Sequence, residues 1–234
     1  MKLPVLVSLP HAGLDVPEEL RAYCILSHEE IVRDGDEEAW EIYHELEGMA
    51  EAFHTTGIAR AFVDMNRAAD DIRLDGVVKT HTTWNEPVYD RELPADLIKT
   101  LIEKYWKPYH ESLSKLSQKR VKLGLDCHTM ASIGPPVGPD TGEKRPAVCL
   151  SNAEGTCPEE WIRGMAEKLE EAFKHEVRIN HPFKGGYIIR SHAPELPWMQ
   201  VELSRGGEMT PSDKRRCFYS ALNGFARQYL DFVS

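Results

Sequence analysis

Leu3-Pro4-Val5-Leu6-Val7-Ser8-Leu9, followed at once by Pro10-His11-Ala12-Gly13, is the stretch on which the reading of this chain turns. Seven almost wholly apolar residues closed by Pro, His and Gly form a run too short for an ordinary helix. The run lacks the alternation of a half-exposed strand, so it reads as a strand buried on both faces, the kind that parallel sheets contain. Its carboxyl end falls at His11. Downstream, Trp40, Tyr43, Leu46, Met49, Ala50 and Phe53 lie at helical spacing, which predicts a helix over 36–53 with Asp34 or Asp36 placed to cap its start. A second strand is expected over 58–63, leading into Asp64-Met65-Asn66-Arg67. A long helix is expected over 95–116, with Leu97, Leu101, Tyr105, Tyr109, Leu113 and Leu116 as its apolar stripe and Pro108 kinking or splitting it.

The same pattern continues to the end of the chain. A strand over 121–125 runs into Asp126-Cys127-His128, and the aperiodic, Pro- and Gly-rich stretch 133–145 is a loop of the length that lids and binding segments have. Then come a strand at 147–150, a helix at 158–174, a strand at 177–180, the Gly185-Gly186 pair, a strand at 198–203 and a final helix at 211–232. Strands alternating with helices predict an α/β layered sandwich with a mostly parallel sheet, whose ligands bind outside the carboxyl ends of the strands. His11, Asn66, Arg67, His128 and Glu202 all fall at or near such ends.

The 234 residues fit one domain, 1–234, and 41% hydrophobic with 28% charged residues is the make-up of a folded globular chain. With 28 Lys+Arg against 38 Asp+Glu the formal charge is -10, which opposes binding to nucleic acid or to an anionic membrane surface. No apolar run approaches the roughly 20 residues of a membrane span, and no secretory leader is visible, so no membrane partner is expected. Five cysteines at scattered spacings, with no Cys-x-x-Cys pair, fit reduced thiols in a cytoplasm.

Each candidate for chemistry is unremarkable alone: an aspartate before a helix caps it, a glutamate on an edge strand faces water, and an arginine pairs on the surface. Their joint placement is what speaks. Two parallel strands ending in His11 and His128 aim two imidazoles into one crevice, and two imidazoles with one carboxylate and an open position make a catalytic zinc site. The carboxylate is expected from Asp34-Gly35-Asp36-Glu37-Glu38, with Asp36 as ligand, Glu37 as fallback, Asp34 behind it and Asp15 a further competitor. Asp126, two residues before His128, points to the same side of an extended strand and is placed to orient it. Glu202, a charge inside Trp198-Met199-Gln200-Val201-Glu202-Leu203, is costly to bury unless paired or working, and is the candidate general base. Asn66 and Arg67 offer donors suited to a carboxylate, and Lys184 and Arg190 flank a glycine pair that permits close approach of an anionic substrate.

Taken in order, Pro10-His11-Ala12-Gly13, Asp34-Gly35-Asp36, Asp64-Met65-Asn66-Arg67, Tyr105-Trp106-Lys107-Pro108-Tyr109-His110, Asp126-Cys127-His128, Phe183-Lys184-Gly185-Gly186-Tyr187-Ile188-Ile189-Arg190 and Gln200-Val201-Glu202-Leu203 resemble the N-formylglutamate amidohydrolase (deformylase) family over nearly the whole chain. The resemblance implies a fold like that of zinc carboxypeptidases and aspartoacylases: a three-layer α/β/α sandwich with a central mixed, mostly parallel sheet. It carries the family's Pro-His-Ser-Gly histidine onto His11, with Ala12 in place of serine, the Asp-x-His histidine onto His128, the Gln-x-Glu glutamate onto Glu202, and a carboxylate-gripping Asn-Arg pair onto Asn66 and Arg67. The chain departs from the family where Asp34-Gly35-Asp36-Glu37-Glu38 stands for the common Asp-Thr-Asp-Trp-His, and where the region after Asp70 is shortened.

The expectation is thus a metal-dependent amidohydrolase with one Zn2+, or another divalent ion, per chain. It would remove a formyl or small acyl group from an N-acyl acidic amino acid, N-formyl-L-glutamate first. Two other readings compete: an N-acyl amino acid deacylase or carboxypeptidase of other specificity, and a catalytically silent metal- or ligand-binding domain. Against the silent domain stands the joint presence of His11, His128 and Glu202, since a binder needs no general base.

Overall fold

A computed structural model describes residues 1–138 and 140–232. Pro139 of the expected loop and the last two residues of the expected 1–234 domain lie outside the described residues. One sheet holds six strands, β1 (Leu3–Leu9), β2 (Ala50–Thr55), β3 (Leu123–Met130), β4 (Val148–Ser151), β5 (Val177–Ile179) and β6 (Trp198–Ser204), in the order β2-β1-β3-β6-β4-β5. Strands β2, β1, β3 and β6 are mutually parallel, β4 runs antiparallel to β6, and β5 is parallel to β4. The sheet is mixed and mostly parallel, as expected.

Parallel neighbours need crossover connections, and helices supply them. These are α1 (His28–Asp34), α2 (Ala39–Tyr43), α3 (Leu46–Met49), α4 (Ala95–Leu101), α5 (Lys107–Ser117), α6 (Glu159–Phe173) and α7 (Tyr187–His192), and α8 (Pro211–Tyr229) follows the last strand. The two-residue period of the strands divides the interior in two. Leu3, Val5, Val7 and Leu9 of β1, Leu123, Leu125 and Cys127 of β3, and Met199, Val201 and Leu203 of β6 join α2, α6 and α8 in one core. Leu6 and Trp198, pointing the other way, join α4, α5 and α7 in a second. Helices on both faces make a three-layer α/β/α sandwich. Near the carboxyl ends of the strands the second face turns polar: Ser8, Asp126, His128, Gln200 and Glu202 occupy the alternate positions and are all buried.

Several expected elements are redrawn. The spacing over 36–53 spans α2, α3 and then β2, where the buried residues Ala50 and Ala52 alternate with half-buried Glu51 and Phe53 in a strand's period. The run 58–63 is not a strand; Ile58 makes an isolated bridge to Asp15 and the chain then turns. Neither Asp34 nor Asp36 caps a helix, because Asp34 ends α1 and the residue before α2 is Glu38, in the left-handed region (φ 68°) with no side-chain cap. Helix α1 starts at a capping box between Ser27 and Glu30. Pro108 does split the long helix: it stands at the first turn of α5, and a π turn over Ile102–Trp106 joins α4 to α5, with Lys107 N–H donating to the Ile102 carbonyl five residues back.

Candidate active site

His11 sits just past β1, Asp36 just past α1, and His128 near the end of β3, and the Asp36 backbone N–H donates to the His11 carbonyl at 3.2 Å. All three are buried and form the one cluster of metal-ligating type among the described residues, with ligand atoms within 4.8 Å of one another. His128 Nδ1 lies 2.9 Å from Asp36 Oδ2 and 3.2 Å from His11 Nδ1, which is 3.5 Å from the same carboxylate oxygen. The outer nitrogens are committed: His11 Nε2 is 2.8 Å from Asp64 Oδ1, and His128 Nε2 is 2.9 Å from Asp126 Oδ2. A carboxylate can only accept, so each outer nitrogen carries a proton, and in the neutral form of each ring Nδ1 turns a lone pair inward. Three acceptors then face one another, an arrangement that is favourable around a cation. Burial opposes the charge on Asp36 and Asp64, yet His11 and His128 beside Asp36, and His11 with the guanidiniums of Arg67 and Arg60 beside Asp64, hold both carboxyls well below the usual range. Burial likewise opposes charge on His128, and Asp126 and Glu202 overcome it and push its pKa well above that of a free imidazole, so without an ion the ring takes up a second proton at Nδ1, facing Asp36, and a bound cation would take that proton's place.

Glu202 lies opposite His128 in the parallel pairing of β3 with β6. Its Oε1 accepts from Gln200 Nε2 at 2.8 Å, and burial, with Asp36 nearby, pushes its pKa up to about 7. The three acceptors and Glu202 line a cavity of about 560 Å³ whose walls also carry Arg60, Arg67, Arg73, Arg145 and Arg205, with Trp84 and Phe183. Arg60 donates to Asp64 Oδ2 at 3.1 Å and lies 3.9 Å from Asp36, adding a fixed positive charge beside the acceptors.

A family model described as N-formylglutamate amidohydrolase matches residues 3–209. The chain belongs to the N-formylglutamate amidohydrolase family. A relative from Pseudomonas putida, named N-formylglutamate deformylase, is 26% identical over 231 residues, covering 91% of this chain and 84% of its own. The fold is shared with a crystal structure of N-formylglutamate amidohydrolase from Ralstonia eutropha, at TM-score 0.80 and 19% identity over 99% of this chain and 96% of that one. It is shared equally with a gene product of Agrobacterium tumefaciens, at TM-score 0.79 and 16% identity over 99% and 93%.

In this N-formylglutamate amidohydrolase family chain the remaining expected residues fall as follows. Asp34 is buried beside the centre but turned from it, receiving Lys79 Nζ at 2.9 Å and both the N–H and hydroxyl of Thr83, and these partners overcome burial to hold its carboxyl at about 2. Glu37 pairs with Arg205 at 2.9 Å, and Asp15 is exposed, so neither joins the cluster. Arg67 reaches the cavity with its guanidinium already on Asp75, Nε to the carbonyl at 3.2 Å and one terminal nitrogen to Oδ2 at 3.3 Å. Asn66 lines the cavity, but its carboxamide bonds inward. Lys184 and Arg190 are not brought to the cavity: both are exposed, and Arg190 holds the carbonyls of Lys184 and Gly185, fastening the loop that opens α7. Sequence reading gave no role to Asp64, Arg60, Arg145 or Arg205. Asp64 stood in the quoted motif, yet its partner His11 is 53 residues away, and no local pattern joins them.

Proposed function

We propose that this chain is a metal-dependent amide hydrolase that removes the formyl group, or another small acyl group, from an N-acyl acidic amino acid, with N-formyl-L-glutamate as first substrate and glutamate and formate as products. The observation that carries this reading is the convergence of three buried acceptors beside Glu202 in an arginine-lined cavity; the name of the Pseudomonas putida relative supports the choice of substrate. Two imidazoles and a carboxylate suit Zn2+ with one position left open, so His11, Asp36 and His128 would hold one ion per chain. When bound, such an ion supplies Lewis acidity to the amide carbonyl and lowers the pKa of water.

The rest belongs to the chain's own side chains. Glu202, held at one oxygen by Gln200, accepts the proton of the attacking water and returns it to the leaving nitrogen as the C–N bond breaks. A carboxyl with a pKa near neutrality can do both. Arg60 sets positive charge where the carbonyl oxygen gains negative charge. Arg67 seats a substrate carboxylate in its planar fork. All five cysteines are free, which supports a cytoplasmic setting. The test is a panel of N-formyl, N-acetyl and peptide substrates with Zn2+-loaded and chelator-stripped protein. Equimolar formate and glutamate from N-formylglutamate, with the loaded protein alone, is the expected result. Turnover confined to peptides losing a carboxyl-terminal residue would move the chain to a carboxypeptidase reading.

A further inference from the structure

Asn66 is placed unlike a residue waiting for a substrate. Its side-chain oxygen accepts from the Ile188 backbone N–H at 2.8 Å. Because that N–H can only donate, the orientation of the carboxamide is fixed and its nitrogen must face the other way. There it donates to Asp126 Oδ2 at 3.1 Å, the oxygen that also takes His128 Nε2. The second oxygen of Asp126 accepts from Ser8 Oγ at 2.9 Å, so three donors from three parts of the chain fix this carboxylate. The backbone N–H of Asn66 meanwhile donates to Asp64 Oδ1 at 2.8 Å, the oxygen that holds His11. One residue therefore braces both carboxylates that orient the imidazoles. Gly186 confirms how tightly the carboxamide is enclosed: its φ of -84° is open to any residue, yet a Cβ there would come within 2.2 Å of Asn66 Nδ2.

We infer that Asn66 is a positioning residue of the metal centre, its carboxamide holding Asp126, and through it His128, against the start of α7, rather than a grip on the substrate carboxylate. This rests on the metal-centre reading above. Partners of ligating imidazoles typically contribute 10- to 100-fold to metal affinity.

Zn2+ affinity, measured by competition with a chromophoric chelator, and kcat and KM at saturating Zn2+ for N-formylglutamate and its side-chain amide separate the two roles. Asn66→Ala is expected to weaken Zn2+ at least about 10-fold and to leave KM for the acid and the amide within about twofold of the parent. Ser8→Ala removes a second of the three donors to Asp126, from a position with no exposed surface, and should weaken Zn2+ in the same direction. Should Asn66→Ala not fold, Asn66→Ser carries the same comparison. Parental Zn2+ affinity in the Asn66 variant, with KM raised for the acid and not for the amide, would overturn the inference. So would a Ser8→Ala protein with unchanged affinity, since the effect would then not pass through Asp126. A parent that holds no Zn2+ fails the metal-centre reading itself, and this shows before any variant is made.

Discussion

At the scale of single residues, Glu202 is the group whose removal should separate binding from chemistry. Glu202→Gln keeps the shape and one hydrogen-bonding oxygen, so fold and metal content should stay while kcat falls about 10²- to 10⁴-fold; turnover close to the parent's would move the proton acceptor elsewhere. Arg67 tests the substrate class. Arg67→Lys keeps the charge and loses the fork, and should cost about 1.5–3 kcal/mol in kcat/KM for N-formylglutamate, and much less for its neutral amide. Equal losses on both would mean that Arg67 stays with Asp75 when substrate binds. His11, His128 and Glu202 were legible because strand ends can be read from apolar runs and their closing Pro, Gly and Asp. Asp36 was legible only as one of several acids. What singles it out is the turn at Gly35, which brings its backbone onto the His11 carbonyl, and no local pattern announces that contact. That Lys184 and Arg190 lie away from the cavity was not legible, because charge is visible in a sequence and direction is not.

Among the elements, the pairing of β3 with β6 carries the site, since it sets Asp126 opposite Gln200 and His128 opposite Glu202. Gly124, opposite Trp198, is where this pairing is tightest: a Cβ there would meet the Trp198 ring at 2.2 Å, and that ring is fully buried. Gly124→Ala should therefore destabilise the protein by about 1–3 kcal/mol through overpacking, read as a lower urea midpoint at unchanged slope. An unchanged midpoint would mean that the ring has room to move. Most strands were readable, since both-sided burial leaves apolar runs that few other structures produce. Strand β2 was not, because Ala50 and Phe53 happen to extend the 3.6-residue spacing of the helices before it. Helix α1 was missed although its capping box is plain in the sequence: within seven residues only Ile31 and Asp34 are buried, too few to show a period.

For the whole molecule, the acceptors come from chain segments about 25 and 92 residues apart, His11 to Asp36 and Asp36 to His128, so an ion among them ties the ends of β1 and β3 to the loop after α1. An ion at 100 times its Kd adds about 2.7 kcal/mol, and a chelator should lower Tm by about 5–10 °C in a protein of this size. A melting curve indifferent to chelator would leave the acceptors without an ion to hold. The layered α/β architecture followed from alternation alone, whereas the reversal of β4 did not, because connection lengths do not distinguish a parallel neighbour from an antiparallel one across a sheet. The π turn over Ile102–Trp106 bears on the molecule in a different way. Each α-helical residue advances the chain by about 100° around the axis, so losing one residue from that turn would spin all of α5 by a quarter turn or more. Tyr109 would leave Ser8, His110 would leave the Met65 carbonyl, and the outer layer would lose its hold on the residues behind the site. Between α4 and α5 the chain is therefore more tolerant of a changed letter than of a changed length.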